Sequence, residues 1–379
     1  MTSHPIAKPR KILLMYITKV SGHRAATIAI EKSLNQLDPT AETMSINGFG
    51  YTYPRLEKVV NKAYMSIIKR TPGLWDYLYD NPRIVQGTEA IKNYLHKTSH
   101  AKLSELFERF QPDTVVCTQA FPCGMVADFK KSRRLKFLLI GVLTDYAPHA
   151  FWINEGVDYY IVPSQKMKDH FIEKGVPENA IKVLGIPIQT RFIQRLDKSL
   201  IAQRLGLRED LPTVLVMGGG QGLGPIRAVV KSLVKLKMDL QILVVAGTNR
   251  RLVNWLRELS KNKDKKILAF EYVDCVDELM ELATVLVTKP GGMTTSEALA
   301  KGLPMAIIKP LPGQEIRNTE FLLSEGIAIR VDKPNQIGKE VEALLKDRQR
   351  LWAMRKAACA HSHPNAALDI AKLILEHPV

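Results

Sequence analysis

Three side chains in this sequence stand where acid–base or hydrogen-bond chemistry is useful: His23, Asp145 and Glu297. Each follows an apolar run and a short turn, the edge at which an open α/β sheet presents groups to a ligand. Glu297 closes the stretch Thr288-Lys289-Pro290-Gly291-Gly292-Met293-Thr294-Thr295-Ser296-Glu297. Residues 284–287 read as a buried strand and 297–301 as helix. Pro290-Gly291-Gly292 is then a tight strand-to-helix turn, with Thr294, Thr295 or Ser296 as N-cap. Its glycines let backbone approach a ligand closely, and free N–H groups at the helix start favour negative charge. Glu297, expected in the first helical turn, is misplaced for holding phosphate and suited to accepting hydrogen bonds from a sugar diol. The plainer alternative is an ordinary βα turn with a dipole-stabilising glutamate.

A second glycine-rich turn, Gly218-Gly219-Gly220-Gln221-Gly222-Leu223-Gly224, lies between a strand (212–217) and a helix (226–236). Backbone N–H groups so placed cradle phosphate. The spacing is not GxGxxG, and no acidic residue ends the next strand (241–246), which disfavours a nicotinamide dinucleotide site. The absence of GK[ST] excludes a P-loop. A third turn, Pro312-Gly313, is followed by Gln314, Glu315 and Asn318, so three turns, each leading into a helix, converge on one sheet edge.

In the first half, a strand at 11–17 ends at Thr18-Lys19-Val20-Ser21-Gly22-His23-Arg24, and a helix is expected over 25–37. Asp145 and His149 follow the strand at 136–143. They join His23 as an acid/base cluster, or are a turn aspartate and a surface histidine. Further strands are expected at 43–47, 114–118, 158–162, 182–184, 266–270 and 304–308. Helices are expected at 91–110, 200–205, 335–345, 349–359 and 366–376. The run Tyr51 to Tyr79 mixes aromatics with Arg and Lys, as a membrane interface does; a helical excursion with a solvated basic face is the alternative.

The chain has 379 residues and a net charge of +16, with 46% hydrophobic and 24% charged residues. The length suits two domains, and the charge predicts attraction to anionic surfaces. No nucleic-acid signature accompanies it, so no nucleic-acid partner is expected. The four cysteines have no metal spacing and read as free thiols of a reducing cytoplasm. No metal site is expected. No apolar run reaches membrane-span length, and Met1 to Arg10 lacks the apolar core of a secretory signal.

The two doubly wound halves, the GGGxG loop, the PGGxTxxEA turn and the PGQExxN loop resemble the MurG-like GT-B glycosyltransferases. Ser21-Gly22-His23-Arg24-Ala25, Thr144-Asp145-Tyr146 and His149 through Trp152 narrow the likeness. They are similar to the monogalactosyldiacylglycerol synthases and bacterial processive diacylglycerol glucosyltransferases. The resemblance covers nearly the whole chain. It implies an α/β GT-B fold, two doubly wound Rossmann-like domains facing a central cleft. Residues 1–190 would form the acceptor and membrane-facing domain. Residues 191–379 would bind the UDP-sugar, with the last helix packing back on the first domain.

It further implies an inverting transfer of glucose or galactose from a UDP-sugar to diacylglycerol or a related lipid. The product would be a β-glycolipid, made at an anionic membrane surface by a peripheral protein on the cytoplasmic side. No bound cofactor is implied. Gly219, Gly220 and Gly222 would hold the diphosphate with Thr294 and Thr295 at the Gly291-Gly292 turn. Glu297 would bind the ribose, backbone near Tyr272 and Val273 the uracil, and Gln314 and Glu315, with Asn318, the sugar side. Gly22 and His23 would lie at the acceptor, with His23 or Asp145 as base. The rivals are N-acetylglucosamine transfer to a polyprenyl-linked acceptor, a UDP-N-acetylglucosamine 2-epimerase-like enzyme, and a non-enzymatic membrane-binding module.

Overall fold

In a computed structural model, residues 9–18, 21–55, 99–147, 150–261, 264–311 and 313–378 are described. The chain divides into two compact units, Met1–Thr190 with Asn365–Val379, and Arg191–Pro364.

The first unit holds β1 (Lys11–Tyr16), β2 (Glu42–Asn47), β3 (Thr114–Cys117), β4 (Leu138–Val142), β5 (Tyr159–Val162) and β6 (Ile181–Val183). They pair in parallel in the order β2-β1-β3-β4-β5-β6. Parallel strands need helical crossovers, which cover both faces and demand apolar residues on both. β1 obeys this: Leu13 and Met15 enter one core, Ile12 and Leu14 the other. Helices α1 (Gly22–Leu37), α2 (Gly48–Thr52), α3 (Ala120–Arg133) and α4 (Gln165–Glu173) fill the connections. The strand order reverses between β1 and β3, because the chain steps from β1 outward to β2 and then returns to the other side.

The second unit opens with α5 (Lys198–Leu205). Its strands are β7 (Thr213–Met217), β8 (Gln241–Val245), β9 (Ile267–Phe270), β10 (Val285–Thr288), β11 (Met305–Ile308) and β12 (Ala328–Val331). All pair in parallel, in the order β12-β11-β10-β7-β8-β9, so this sheet reverses between β7 and β10. Its helices are α6 (Ile226–Val234), α7 (Arg250–Lys261), α8 (Val276–Leu282), α9 (Gly292–Ala300), α10 (Gln314–Ser324), α11 (Ile337–Lys346) and α12 (Arg348–Ala360).

The last helix, α13 (Ala366–Glu376), belongs to the first unit, where Ile370 and Ile374 share a core with Ile30 and Leu34 of α1. Arg10 secures its end: Nη1 donates to the carbonyls of Ile374 at 2.9 Å and His377 at 2.7 Å. A cation there satisfies carbonyls that the helix leaves open.

Several boundaries differ from expectation. α1 begins three residues early, because Ser21 caps it by accepting from the Arg24 N–H at 3.3 Å; His23 therefore sits in the first helical turn, not in a loop. Likewise α9 begins at Gly292 with Gly291 as N-cap, so Thr294, Thr295 and Ser296 are helical and Glu297 falls in the second turn. The Ser296 hydroxyl turns back to the Gly292 carbonyl at 3.0 Å, a bond available only inside a helix. Of the aromatic-basic run, residues 56–79 lie outside the described residues, as do 91–98 of the expected helix, His149 and Pro312. Tyr51 packs against the first-unit core. Among the described residues, no helix is long and apolar enough to cross a membrane.

Candidate active site

The first unit builds a site around His23. At the end of β1, Thr18 takes φ 60°, a left-handed conformation costly for a β-branched residue. The Ser21 hydroxyl stabilises this bend, lying 2.8 Å from the Ile17 carbonyl and 2.9 Å from that of Thr18. His23 Nδ1 then lies 2.9 Å from the carbonyl oxygen of Thr118, just past β3, and 2.9 Å from the hydroxyl of Thr144, just past β4. Thr118 and Thr27 hydroxyls each reach the His23 carbonyl at 3.0 Å, so main chain and ring are both held.

A carbonyl oxygen only accepts. Nδ1 therefore carries the proton, and Nε2 keeps its lone pair. Burial pushes the imidazole pKa down to about 4, and the Thr118 bond only partly offsets this. At neutral pH the ring is an uncharged acceptor. Asp145 follows Thr144 directly and is part-buried, so the structure collects His23, Thr144 and Asp145 at one sheet edge. Gly22, the first residue of α1, is exposed beside them.

In the second unit, the glycine-rich loop follows β7 and the Pro290-Gly291-Gly292 turn follows β10, so they flank the strand reversal. An open α/β sheet forms its ligand crevice there. The loop folds tightly on the turn after β8. Gly222 has φ +58°, and a Cβ there would stand 2.0 Å from the Ala246 carbonyl oxygen. Gly220 is exposed, and its carbonyl accepts from the Thr248 N–H at 3.0 Å. Gly219, φ +69°, lies alongside the Lys289 side chain. None of α6, α9 and α10 has a side-chain N-cap bond. Their first N–H groups are thus left to other acceptors.

Lys289 belongs to no functional pattern in the sequence, yet it is central here. Its ammonium lies 2.6 Å from Glu315 Oε1, while Glu315 Oε2 accepts from the Leu311 N–H at 2.8 Å. Glu315 thus fixes a cation beside the glycine loop and braces its own loop. Asn318 is fully buried, and its amide donates to the Pro290 carbonyl at 2.9 Å, holding the turn in place. Gln314 opens α10 and is part-exposed. Thr294 is part-exposed; Thr295 is fully buried, with no hydrogen-bond partner for its hydroxyl among the described residues.

Burial pushes the Glu297 pKa up to about 8; Arg191 pulls it down and Asp277 pushes it up again. Arg191 itself lies 3.6 Å from Asp277 and donates to the Asp274 carbonyl. Arg191 and Asp277 carried no sequence motif; only their distance in sequence from Glu297 hid them. Tyr272 is 64% exposed and Val273 part-buried, both in the loop after β9. Among the described residues, no group of three or more His, Cys, Asp or Glu is placed to hold a metal ion.

Comparison with known proteins bears on both units. Residues 23–188 match the monogalactosyldiacylglycerol (MGDG) synthase family, and residues 213–373 match the glycosyltransferase family 28 C-terminal domain. A processive diacylglycerol beta-glucosyltransferase of Bacillus licheniformis is 33% identical over 265 residues, 70% of this chain and 68% of the relative. One from Bacillus cytotoxicus is 29% identical over 370 residues, 97% of this chain and 94% of the relative. Among solved structures, MurG of Acinetobacter baumannii aligns with TM-score 0.66 at 14% identity, over 97% of this chain and all (100%) of that one. A UDP-GlcNAc 2-epimerase from Neisseria meningitidis, bound to UDP-GlcNAc, aligns with TM-score 0.63 at 13% identity, over 97% and 100%. These two likenesses show the shared GT-B fold alone.

Proposed function

The chain belongs to the diacylglycerol glycosyltransferase family of the MGDG synthases and processive glucosyltransferases, and from that premise we propose that it transfers glucose from UDP-glucose to diacylglycerol. Membership makes it a UDP-sugar-dependent glycosyltransferase of glycolipid synthesis. The choice of glucose follows the names of the relatives.

The second unit takes the donor. Amides of Gly219, Gly220 and Gly222 and the starts of α6 and α9 receive the diphosphate, with Lys289 as the adjacent cation. Glu297 accepts the ribose hydroxyls, backbone near Tyr272 and Val273 meets the uracil, and Gln314 reads the sugar. Glu315 and Asn318 act by holding Lys289 and the Pro290 turn. The first unit takes the acceptor. His23 Nε2 accepts the proton of the lipid hydroxyl as its oxygen bonds to the anomeric carbon. UDP departs with the electrons of the broken bond. One displacement inverts the α-linked donor to a β-glycoside and needs no covalent sugar–enzyme intermediate. Asp145 orients the acceptor or assists its deprotonation. A protein acting so works peripherally, at the cytoplasmic face of a membrane.

The observation that carries this reading is the His23–Thr118 bond, which puts the proton on Nδ1 and leaves Nε2 as the acceptor of a ring that burial keeps uncharged at neutral pH. The test is glucolipid formation from UDP-glucose and diacylglycerol by wild type and His23→Gln. Product from wild type and its near-loss in the variant, with UDP binding retained, supports the assignment. Undiminished turnover in the variant rejects His23 as the base.

A further inference from the structure

Charge is segregated among the helices of the second unit. α6, α7, α11 and α12, 44 residues together, carry twelve Lys and Arg against three Glu, a net +9 of the chain's +16. By contrast, α8, α9 and α10 carry one Arg against six acidic residues, a net −5.

The basic four share one core. Val230 of α6, Val253 of α7, Val341 of α11 and Met354 of α12 pack in a single cluster with residues of β7, β8, β10, β11 and β12. Their apolar sides are thereby spent inward, and eleven of the twelve cations are exposed. Among the described residues, their carboxylate partners are Glu271 for Arg257 at 3.9 Å, Glu258 for Lys261 at 2.8 Å and Glu342 for Lys346 at 2.7 Å.

Two tryptophans belong to this layer. Trp255 is part-buried, with the Arg227 guanidinium 5.3 Å and the Lys231 ammonium 5.9 Å from its ring centroid. Trp352, on α12, is 63% exposed, with the Lys356 ammonium 5.4 Å from its ring. α12 contains no acidic residue. An exposed indole has an apolar body and one N–H, a combination suited to the boundary between acyl chains and headgroups. Cations around it meet anionic headgroups. Single-stranded nucleic acid would use a succession of stacking rings; this surface exposes one.

We propose that this basic layer docks the protein on anionic lipid headgroups through α12, the helix at its edge, with Trp352 entering the interface. The proposal rests on the reading that the acceptor is a membrane lipid, and it assigns the donor-binding unit a lipid contact of its own.

The test is flotation of the full chain with phosphatidylcholine vesicles, with and without phosphatidylglycerol. Compared are wild type, Trp352→Ser, a triple variant (Arg348→Ser, Arg350→Ser, Lys356→Ser), and a control (Lys198→Ser, Arg208→Ser, Arg330→Ser) that removes equal charge elsewhere on the unit. Each basic residue at an anionic surface is worth about five-fold in partitioning. The triple variant should bind phosphatidylglycerol vesicles about a hundred-fold more weakly, and the control should lose much less. Trp352→Ser should weaken binding, and vesicles lacking phosphatidylglycerol should hold little protein. Equal losses in triple variant and control, or no loss in either, overturn the proposal. So does a wild type that ignores the vesicles yet binds an oligonucleotide through the same residues. Turnover of detergent-dispersed diacylglycerol, expected unchanged in the triple variant, is read separately. Its absence in wild type would fail the enzymatic reading, while flotation still decides the surface.

Discussion

His23 Nδ1 lies 2.9 Å from the carbonyl oxygen of Thr118, a bond that spans the point where the first sheet reverses its strand order. The first turn of α1 supplies the ring, and the residue just past β3 sets the tautomer. The consequence is a pH profile. The neutral ring is the acceptor, and its pKa of about 4 lies below the ordinary 6.5, so it stays neutral through that range. The acid limb of kcat/KM should therefore show no His23 titration near pH 6.5. His23→Gln should lower kcat by about 10²–10⁴, the usual worth of a general base. A steady-state pH series on both proteins checks this.

The same shift affects stability. Between pH 6.5 and 4 the unfolded chain binds a proton that folded His23 refuses, so stability falls as pH drops through that window. Chemical denaturation of His23→Gln across the window should show a shallower acid slope than wild type.

Glu297 works with the opposite sign. Its folded pKa of about 8 lies above the ordinary 4.5, so the fold holds a proton that the unfolded chain releases as pH rises between them. Stability from this group is therefore lost as pH climbs through that window. If the ribose diol donates to the carboxylate, UDP affinity should rise as pH approaches and passes 8. Glu297→Gln should flatten both trends, read by denaturation and by calorimetric titration with UDP.

At Gly222 a Cβ would meet the Ala246 carbonyl oxygen at 2.0 Å. Gly222→Ala must displace the loop, at a cost of about 1–3 kcal/mol in stability. UDP affinity should fall with it, whereas uridine, which lacks phosphate, should bind nearly as before. Thermal melts and paired titrations with the two ligands read this.

Lys289 and Glu315, 2.6 Å apart and both largely buried, should couple. A double-mutant cycle with Lys289→Met and Glu315→Gln, scored on UDP affinity, should show a coupling energy of about 0.5–3 kcal/mol. Additive effects would show that Glu315 does not act on UDP through Lys289, and an unchanged UDP affinity in Lys289→Met alone would place Lys289 outside the diphosphate's reach.

What the sequence disclosed follows from local physics. Both sheets were legible because parallel strands buried on two faces must be continuous apolar runs, as in Thr213–Met217. The turns were legible because only glycine tolerates a contact like that of Gly222 with Ala246. Helix starts are ambiguous in sequence where side chains compete. Ser21, followed by Gly22, caps α1, whereas the hydroxyls at 294–296 resemble caps but lie inside α9. β12 (Ala328–Val331) leaves little trace in the sequence, because Arg330 interrupts an edge strand of only 4 residues. Arg191, Asp277 and Thr118 were invisible as site residues, since each gains its role from a partner far away in sequence.

The most direct test of the central claim is mass-spectrometric detection of glucosyl-diacylglycerol after incubation with UDP-glucose and diacylglycerol in phosphatidylglycerol vesicles. It should be run with UDP-galactose as competing donor and Glu297→Ala as control. The account predicts a glucosylated lipid with matching UDP release, dependent on diacylglycerol and nearly lost in the variant. UDP release without regard to lipid, or a sugar transferred to some other acceptor, would contradict it.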